Sequence, residues 1–366
     1  MYTRFKIAKE YKDKKTVLAW TQIIAIFTIM TNVYNNHSLK DLNSFGLESH
    51  ATRFARPGDL ESLKSLLERE SNHQLPLLVL GEGSNILFMN HFDGLVIQPG
   101  MKGIEVTEDD GEELIVKVGA SENWDHWVQY AIDEGWFGLE NLSLIPGSVG
   151  SAPIQNIGAY GVEVRDRFEW LEAWDTQLKL QVRLEKNDCK FSYRSSIFKE
   201  ELKGRFIITQ VAFRLSRKPQ LQLDYGIVKS RFIEATGSTP ADLRKVIIAI
   251  RRSKLPDPSQ YGNAGSFFKN PLVDRTIFKC IRVEFPDVPH YPEEANQVKI
   301  PAAWLIEKSG WKARRIGNVG TWPTQPLVIV NYGGATGQEL FDFSENIVSD
   351  VDQMFGITLE REVNVI

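Results

Sequence analysis

The stretch from Gly138 to Gly161 constrains the fold more than any other. It holds five glycines and two prolines, and Glu140 is its only charged side chain. Glycine and proline at that density exclude a regular helix or a central strand. A solvated linker would be more polar, so the segment reads as an ordered loop system. Small residues with Gln155 and Asn156 among them suit a flat heterocycle, because amides can match its hydrogen-bonding edge. A purely structural loop remains the competing explanation.

A second glycine-bearing block, Gly81-Glu82-Gly83-Ser84-Asn85, interrupts an apolar run over 75–88. Glycines there let a backbone approach a ligand, and successive N–H groups can form an anion nest for a pyrophosphate. Alone, the same block is equally a tight turn between strands. Around it the spacing predicts a hairpin over 104–107 and 114–118 and a helix over 121–134, with Trp124, Trp127, Val128 and Ile132 on one stripe. Strands are expected at 170–174, 178–184, 206–215 and 327–331, and a short helix at 302–308. Thr239-Pro240 opens a helix reaching about Arg252. Thr336 to Glu339 is a capping box that starts the last helix, and a strand is expected over 357–366. Helices and strands mix without regular βαβ alternation, which favours an α+β class. Character changes near Arg217-Lys218-Pro219, where we place a domain boundary.

Composition removes several function classes. The chain has 366 residues with 43 basic and 47 acidic side chains, a net charge of −4. That length predicts two or three domains, and that charge gives no global reason to bind nucleic acid. Its two cysteines, Cys189 and Cys280, are far apart, which excludes a disulfide framework and suits a reducing, cytoplasmic compartment. There is no G-x-S-x-G elbow, no Gly-Lys pair of a P-loop, no H-E-x-x-H and no G-x-G-x-x-G. No metal site is expected. The N-terminus is ambiguous: residues 1–15 carry six basic and two acidic side chains, and an apolar run follows to Met30. Fourteen such residues are too few to span a bilayer, which takes about 20. Residues 1–35 read as a dispensable extension or an upstream start, against an interfacial helix or an export signal. No stable membrane association is expected.

Three further segments carry chemistry. Phe191 to Lys199 sets Arg194 among aromatic and apolar neighbours, as for a guanidinium that clamps a carboxylate; a surface ion pair is the alternative. In Asn263 to Pro271, Ser266 sits between a small-residue turn and two phenylalanines. A capping role would need a following helix, and Asn270-Pro271 arrives too soon for one. The terminal segment alternates, placing Glu360 and Glu362 on one face. That face is a solvated edge, or else a pair whose repulsion raises one carboxyl.

Together these blocks resemble the UDP-N-acetylenolpyruvoylglucosamine reductase (MurB) family of peptidoglycan synthesis. The resemblance runs from about Asn36 onward. It rests on the turn at 81–85, the run at 145–161, Tyr193-Arg194, Lys254-Leu255-Pro256-Asp257-Pro258, Asn263 to Pro271 and Leu359 to Val363. Leu223-Asp224-Tyr225-Gly226 is similar to the subtype in which a loop tyrosine closes over the substrate.

The resemblance implies an FAD-binding domain of the vanillyl-alcohol-oxidase type (PCMH-type) over 46–217. A C-terminal α+β substrate-binding domain would cover 218–355, and a terminal strand over 356–366 would carry Glu362 into the site. It implies a monomeric enzyme with non-covalent FAD and with NADPH as hydride donor. UDP-N-acetylglucosamine enolpyruvate would be reduced to UDP-N-acetylmuramate by hydride from flavin N5 to carbon 3 and a proton to carbon 2. Such a reaction builds enolate charge, so it needs a cation at the carboxylate and a proton donor at carbon 2.

By correspondence Arg194 supplies the cation, Ser266 the proton, and Glu362 steadies the enolic form. Tyr225, Lys254, Asn270 and Gln325 correspond to substrate-binding positions. FAD would lie against Gly81, Gly83, Ser84, Asn85, Pro146, Gly147, Gly150, Ser151, Gln155, Asn156, Gly158, Ala159 and Tyr160. The chain departs from the pattern at Ser195, where an aspartate is usual, which leaves the anchoring of Arg194 open. Trp322-Pro323 replaces a histidine-containing pair, and Arg361 and Asn364 flank Glu362 where proline and arginine are frequent. Alternatives are a flavin oxidase of the same fold and a catalytically impaired nucleotide-sugar-binding protein.

Overall fold

The computed structural model describes residues 31–292 and 296–366. Most of the expected N-terminal extension lies outside the described residues, but its last part is corrected. Val33–Ser38 is a strand, and Val33, Tyr34 and Asn35 pair with Ala55, Phe54 and Arg53. The boundary at 35 therefore cuts through a folded element.

The N-terminal half is built on two sheets. The first has four strands in the order Val33–Ser38, His50–Ala55, Phe92–Ile97, Leu77–Val79, and the last two pairings are parallel. The helix Leu60–Glu70 sinks Leu63 and Leu66 into a core with Leu95 and Ile97 of this sheet. Its start is a capping box between Asp59 and Ser62.

The second sheet has five antiparallel strands in the order Leu180–Glu185, Phe168–Asp175, Phe206–Ser216, Glu113–Gly119, Ile104–Asp109. Trp124 and Trp127 of the helix Trp124–Asp133 each lie 5.8 Å from Phe213 of this sheet, ring centre to ring centre. Both indoles are almost fully buried, and truncating either to alanine would cost about 3–5 kcal/mol.

The C-terminal part packs a four-stranded sheet, Gly262–Asn263, Gln325–Asn331, Val319–Trp322 and Arg315–Ile316, against the helix Gly337–Phe355. That helix starts at the expected Thr336–Glu339 capping box and ends at Gly356, whose φ of +64° is one that glycine adopts without strain. Phe45 and Leu47, from far upstream, complete this core. The helices Val228–Glu234 and Pro240–Lys254 form a small core of their own, with Tyr160 packed on it.

The closing segment corrects the expected strand. Only Asn364–Val365 enters a ladder, parallel to Ile86–Leu87, with a single bridge from Arg361 to Phe268. Glu362 is held instead by its own N–H, which donates to the Phe267 carbonyl at 2.8 Å.

Candidate active site

A cleft of about 1640 Å3 has walls drawn from both glycine blocks, from the turn bearing Arg194 and from the C-terminal segment. Gly81, Gly83, Ser84, Asn85, Pro146, Gly150, Ser151, Gln155 and Gly158 line it. The missing side chains are required here. A Cβ on Gly83, at φ +65°, would fall 1.9 Å from the Leu42 carbonyl oxygen, and one on Gly150 would fall 2.6 Å from the Ala120 Cβ. The N–H groups of residues 81–85 donate to no other protein group among the described residues, the arrangement an anion nest requires. Beside them, the Ser151 hydroxyl bonds the Ser148 carbonyl at 2.7 Å and closes the turn Val149–Ser151.

The reactive cluster lies in the same cleft. Ser192 and Ser195 bridge across a tight turn, and Arg194 at its tip has φ +53°. Its guanidinium donates to the Gly158 carbonyl at 2.5 Å and stands 3.5 Å from the Glu362 carboxylate and 3.9 Å from that of Glu163. These three partners anchor Arg194. The serine replacing the usual aspartate does not, since the Ser195 hydroxyl donates to Glu200 at 2.7 Å. Burial pushes the Glu362 carboxyl up, against the pull of Arg194, Lys199 and Lys269, while repulsion from Glu360 is the smallest contribution. Glu360 itself is exposed and paired with Lys269, so the two carboxylates do not form a proton-sharing pair. Ser266 follows Gly265, at φ +68°, and no helix starts before Arg275. Its hydroxyl has no partner among the described residues, and the residue lines the cleft with Arg194 and Glu362.

Several expected positions stand elsewhere. Asn156 is fully buried, its amide donating to Glu163 and the Ser192 carbonyl and accepting from the Arg165 N–H. It holds the loop together and is not in the cleft wall, both polar atoms of its side chain being already used. Gly147, Ala159 and Tyr160 are also outside the lining. Tyr160 instead packs on the core of the helix pair and meets Tyr225 edge to face, their ring centres 6.1 Å apart. Tyr225, Lys254, Asn270 and Gln325 lie outside it too. Tyr225 and Asn270 gather near Tyr193, whose hydroxyl accepts from Asn270 at 3.3 Å. Lys254 is exposed at the end of its helix, and Gln325 begins a strand.

Sequence reasoning missed four residues. Glu163 braces Arg194 and Asn156. Lys199 donates to the Glu362 carbonyl at 3.2 Å. His126 is a histidine in the cleft wall, delivered by the helix Trp124–Asp133. Arg251 also lines the cleft, and its buried Nε has no hydrogen-bond partner. Burial pushes the Arg251 guanidinium down, with Tyr160 and Asp125 opposing. The open N–H turn, the side-chain-free glycines and this unpartnered cation together fit a large, flat ligand bearing negative charge.

The fold and cleft define the class first. Residues 51–179 match the model of the FAD binding domain, so this is an α+β flavin-binding protein. Residues 257–366 match the C-terminal domain of UDP-N-acetylenolpyruvoylglucosamine reductase. The protein of that name from Amoebophilus asiaticus is 45% identical over 337 residues, covering 92% of this chain and 99% of its own. The one from Pseudomonas aeruginosa is 45% identical over 330 residues, covering 90% and 97%. The solved structure of the reductase from Thermus caldophilus superposes with a TM-score of 0.63 at 22% identity, over 92% of this chain and 98% of that one. The chain belongs to the UDP-N-acetylenolpyruvoylglucosamine reductase family.

Proposed function

We propose that this protein reduces UDP-N-acetylglucosamine enolpyruvate to UDP-N-acetylmuramate with NADPH, as a step in peptidoglycan precursor synthesis that serves cell shape and division. The observation that carries the reading is the convergence of Arg194, Glu362 and Ser266 in one cleft, 3.5 Å separating the first two. The open turn at 81–85, with Gly150, Ser151 and Gln155, would hold FAD without a covalent bond, and Arg251 would face a negative part of the bound ligands. When bound, FAD supplies the hydride that NADPH provides.

The protein's own groups do the rest. Arg194 holds the substrate carboxylate and takes up negative charge that grows there during reduction. Glu362, driven toward its neutral form by burial, can donate a hydrogen bond to the same carboxylate without adding repulsion. Ser266, whose hydroxyl is not committed to protein, delivers the proton to carbon 2. Asn270 and Tyr225 bind the nucleotide portion from beyond Tyr193, and Lys254 and Gln325 act at its periphery. The same proposal assigns 46–217 to flavin binding and 218–355 to substrate binding, and a monomer working in the cytoplasm. No helix among the described residues is long and apolar enough to cross a membrane.

Anaerobic visible spectroscopy tests this. A yellow protein that bleaches with NADPH and recolours with the enolpyruvyl substrate supports the reading, and a protein that takes up no FAD overturns it. The cleft histidine favours one second reading, an oxidase with flavin attached at His126. Yellow colour left in the supernatant after acid precipitation would exclude it.

A further inference from the structure

Lys199 and Asn85 donate to the same two acceptors. The Lys199 ammonium reaches the Glu362 carbonyl at 3.2 Å and the Gln155 side-chain oxygen at 3.4 Å. The Asn85 amide reaches the same carbonyl at 3.3 Å and makes a short bond to the same Gln155 oxygen. Four separate segments thus close into one ring of two donors and two acceptors, at the wall of the cleft. Nothing in the proposed reaction uses Lys199, yet it is the one member of this ring that carries a charge.

We propose that Lys199 is a positioning residue for the reduction, pinning the Glu362 main chain to the flavin-side loops and holding its carboxyl in the correct charge state. The inference rests on the function proposed above. Geometry carries it first: a carbonyl fixed by two donors leaves the adjoining side chain little freedom, and a misplacement of about 1 Å at a reacting centre can cost a hundredfold in rate. Charge carries it second. The charged groups facing Glu362 are Arg194 from the turn, Lys199 from the segment behind it, Lys269 from the Ser266 loop and Glu360 from its own segment. Lys269 is paired with Glu360, and Arg194 is shared with Glu163. Among the described residues Lys199 has no such carboxylate partner: burial, and then Lys269, push its ammonium down, while Glu362, Glu360 and Glu200 act the other way. Each group therefore biases the ionisation of the other.

The test uses the FAD-loaded full chain, reduced and then mixed with the enolpyruvyl substrate across pH. If neutral Glu362 is the working form, reoxidation falls as pH rises through its ionisation. Lys199→Gln keeps a hydrogen-bond donor and removes the charge. It should move that falling limb upward by about half a pH unit or more and slow reoxidation about tenfold, while Lys199→Arg leaves the limb in place. Amide hydrogen exchange in the oxidised protein is the second readout, with faster exchange at Glu362 and Asn364 expected in Lys199→Gln. An unmoved limb with unchanged exchange, or an equal displacement in Lys199→Arg, overturns the proposal. A wild-type protein that never recolours would instead defeat the reaction itself, and the exchange comparison would still decide what Lys199 holds in place.

Discussion

Arg244 and Arg251 stand two turns apart on one face of the helix Pro240–Lys254, the first gripped by two side chains and the second with a buried Nε that no described residue accepts from. Arg244 grips both oxygens of Asp125 at 2.6 and 2.9 Å and the Gln129 side chain at 2.6 Å. Burial pushes Asp125 up, but bonds from Arg244 and the Leu144 N–H outweigh it and hold the carboxylate below its usual range. Seven residues make about two turns, so this clamp also sets where Arg251 enters the cleft. A buried guanidinium N–H left without an acceptor costs about 1–3 kcal/mol, which a bound anion would return.

Arg251→Met should therefore stabilise the flavin-free protein and weaken its hold on FAD. We expect an apo melting temperature about 2–4 °C higher and a smaller rise on FAD addition. Thermal melts with and without FAD measure both. A less stable apo variant would mean that Arg251 already has its partner.

Ser266→Ala should leave flavin reduction by NADPH nearly intact and slow reoxidation by the enolpyruvyl substrate by about three orders of magnitude. Only the second half-reaction needs its proton. Stopped-flow traces of the two halves separate these effects, and equal slowing of both would remove Ser266 from the role.

Glu362→Gln should change stability with pH in a definite sense. Burial raises the folded-state carboxyl above its unfolded value of about 4.3, so the folded protein keeps a proton that the unfolded chain releases. Wild-type stability from this group is thus undiminished below about pH 4 and declines as pH climbs toward the folded-state value. Against it the glutamine variant should match at pH 4 and melt about 1–3 °C higher at pH 7. A variant that melts lower at pH 7 would show that Glu362 is ionised in the fold.

Ser195→Asp would restore the residue usual in the family and should gain nothing. The Ser195 hydroxyl donates to Glu200, and a carboxylate there would face another at hydrogen-bond distance. We expect a loss of about 1 kcal/mol by urea unfolding and no faster reoxidation, because Arg194 is anchored by Gly158, Glu163 and Glu362.

Local chemistry was readable where it is local. The Thr239 and Thr336 caps, the tryptophan stripe of the helix Trp124–Asp133 and the hairpin over 104–119 depend on neighbours within one or two turns. The helix Leu60–Glu70 had the same signals, a capping aspartate and leucines at helical spacing, and went unread. The strand Val33–Ser38 could not be read, since its polar sequence shows no alternation and its pairing with His50–Ala55 is what makes it a strand. In the site, Arg194, Ser266 and Glu362 stood out from their neighbours, but their joint role was legible only as a family pattern. Arg251 and Lys199 were not, because their burial follows from where a distant helix and the last residues pack. Asn156 misled for the opposite reason: an amide suited to a ligand edge serves equally well as a strut inside the loop.

The ring that joins Asn85 and Glu362 has a kinetic consequence. Those residues are 277 positions apart, and closing a loop of that length costs about 5 kcal/mol in chain entropy. Contacts so distant reward the chain only after the intervening sheets exist. A refolding molecule thus completes its five-stranded sheet while the cleft is still unwalled on one side. Flavin capture then reports the last step of folding and does not seed the first.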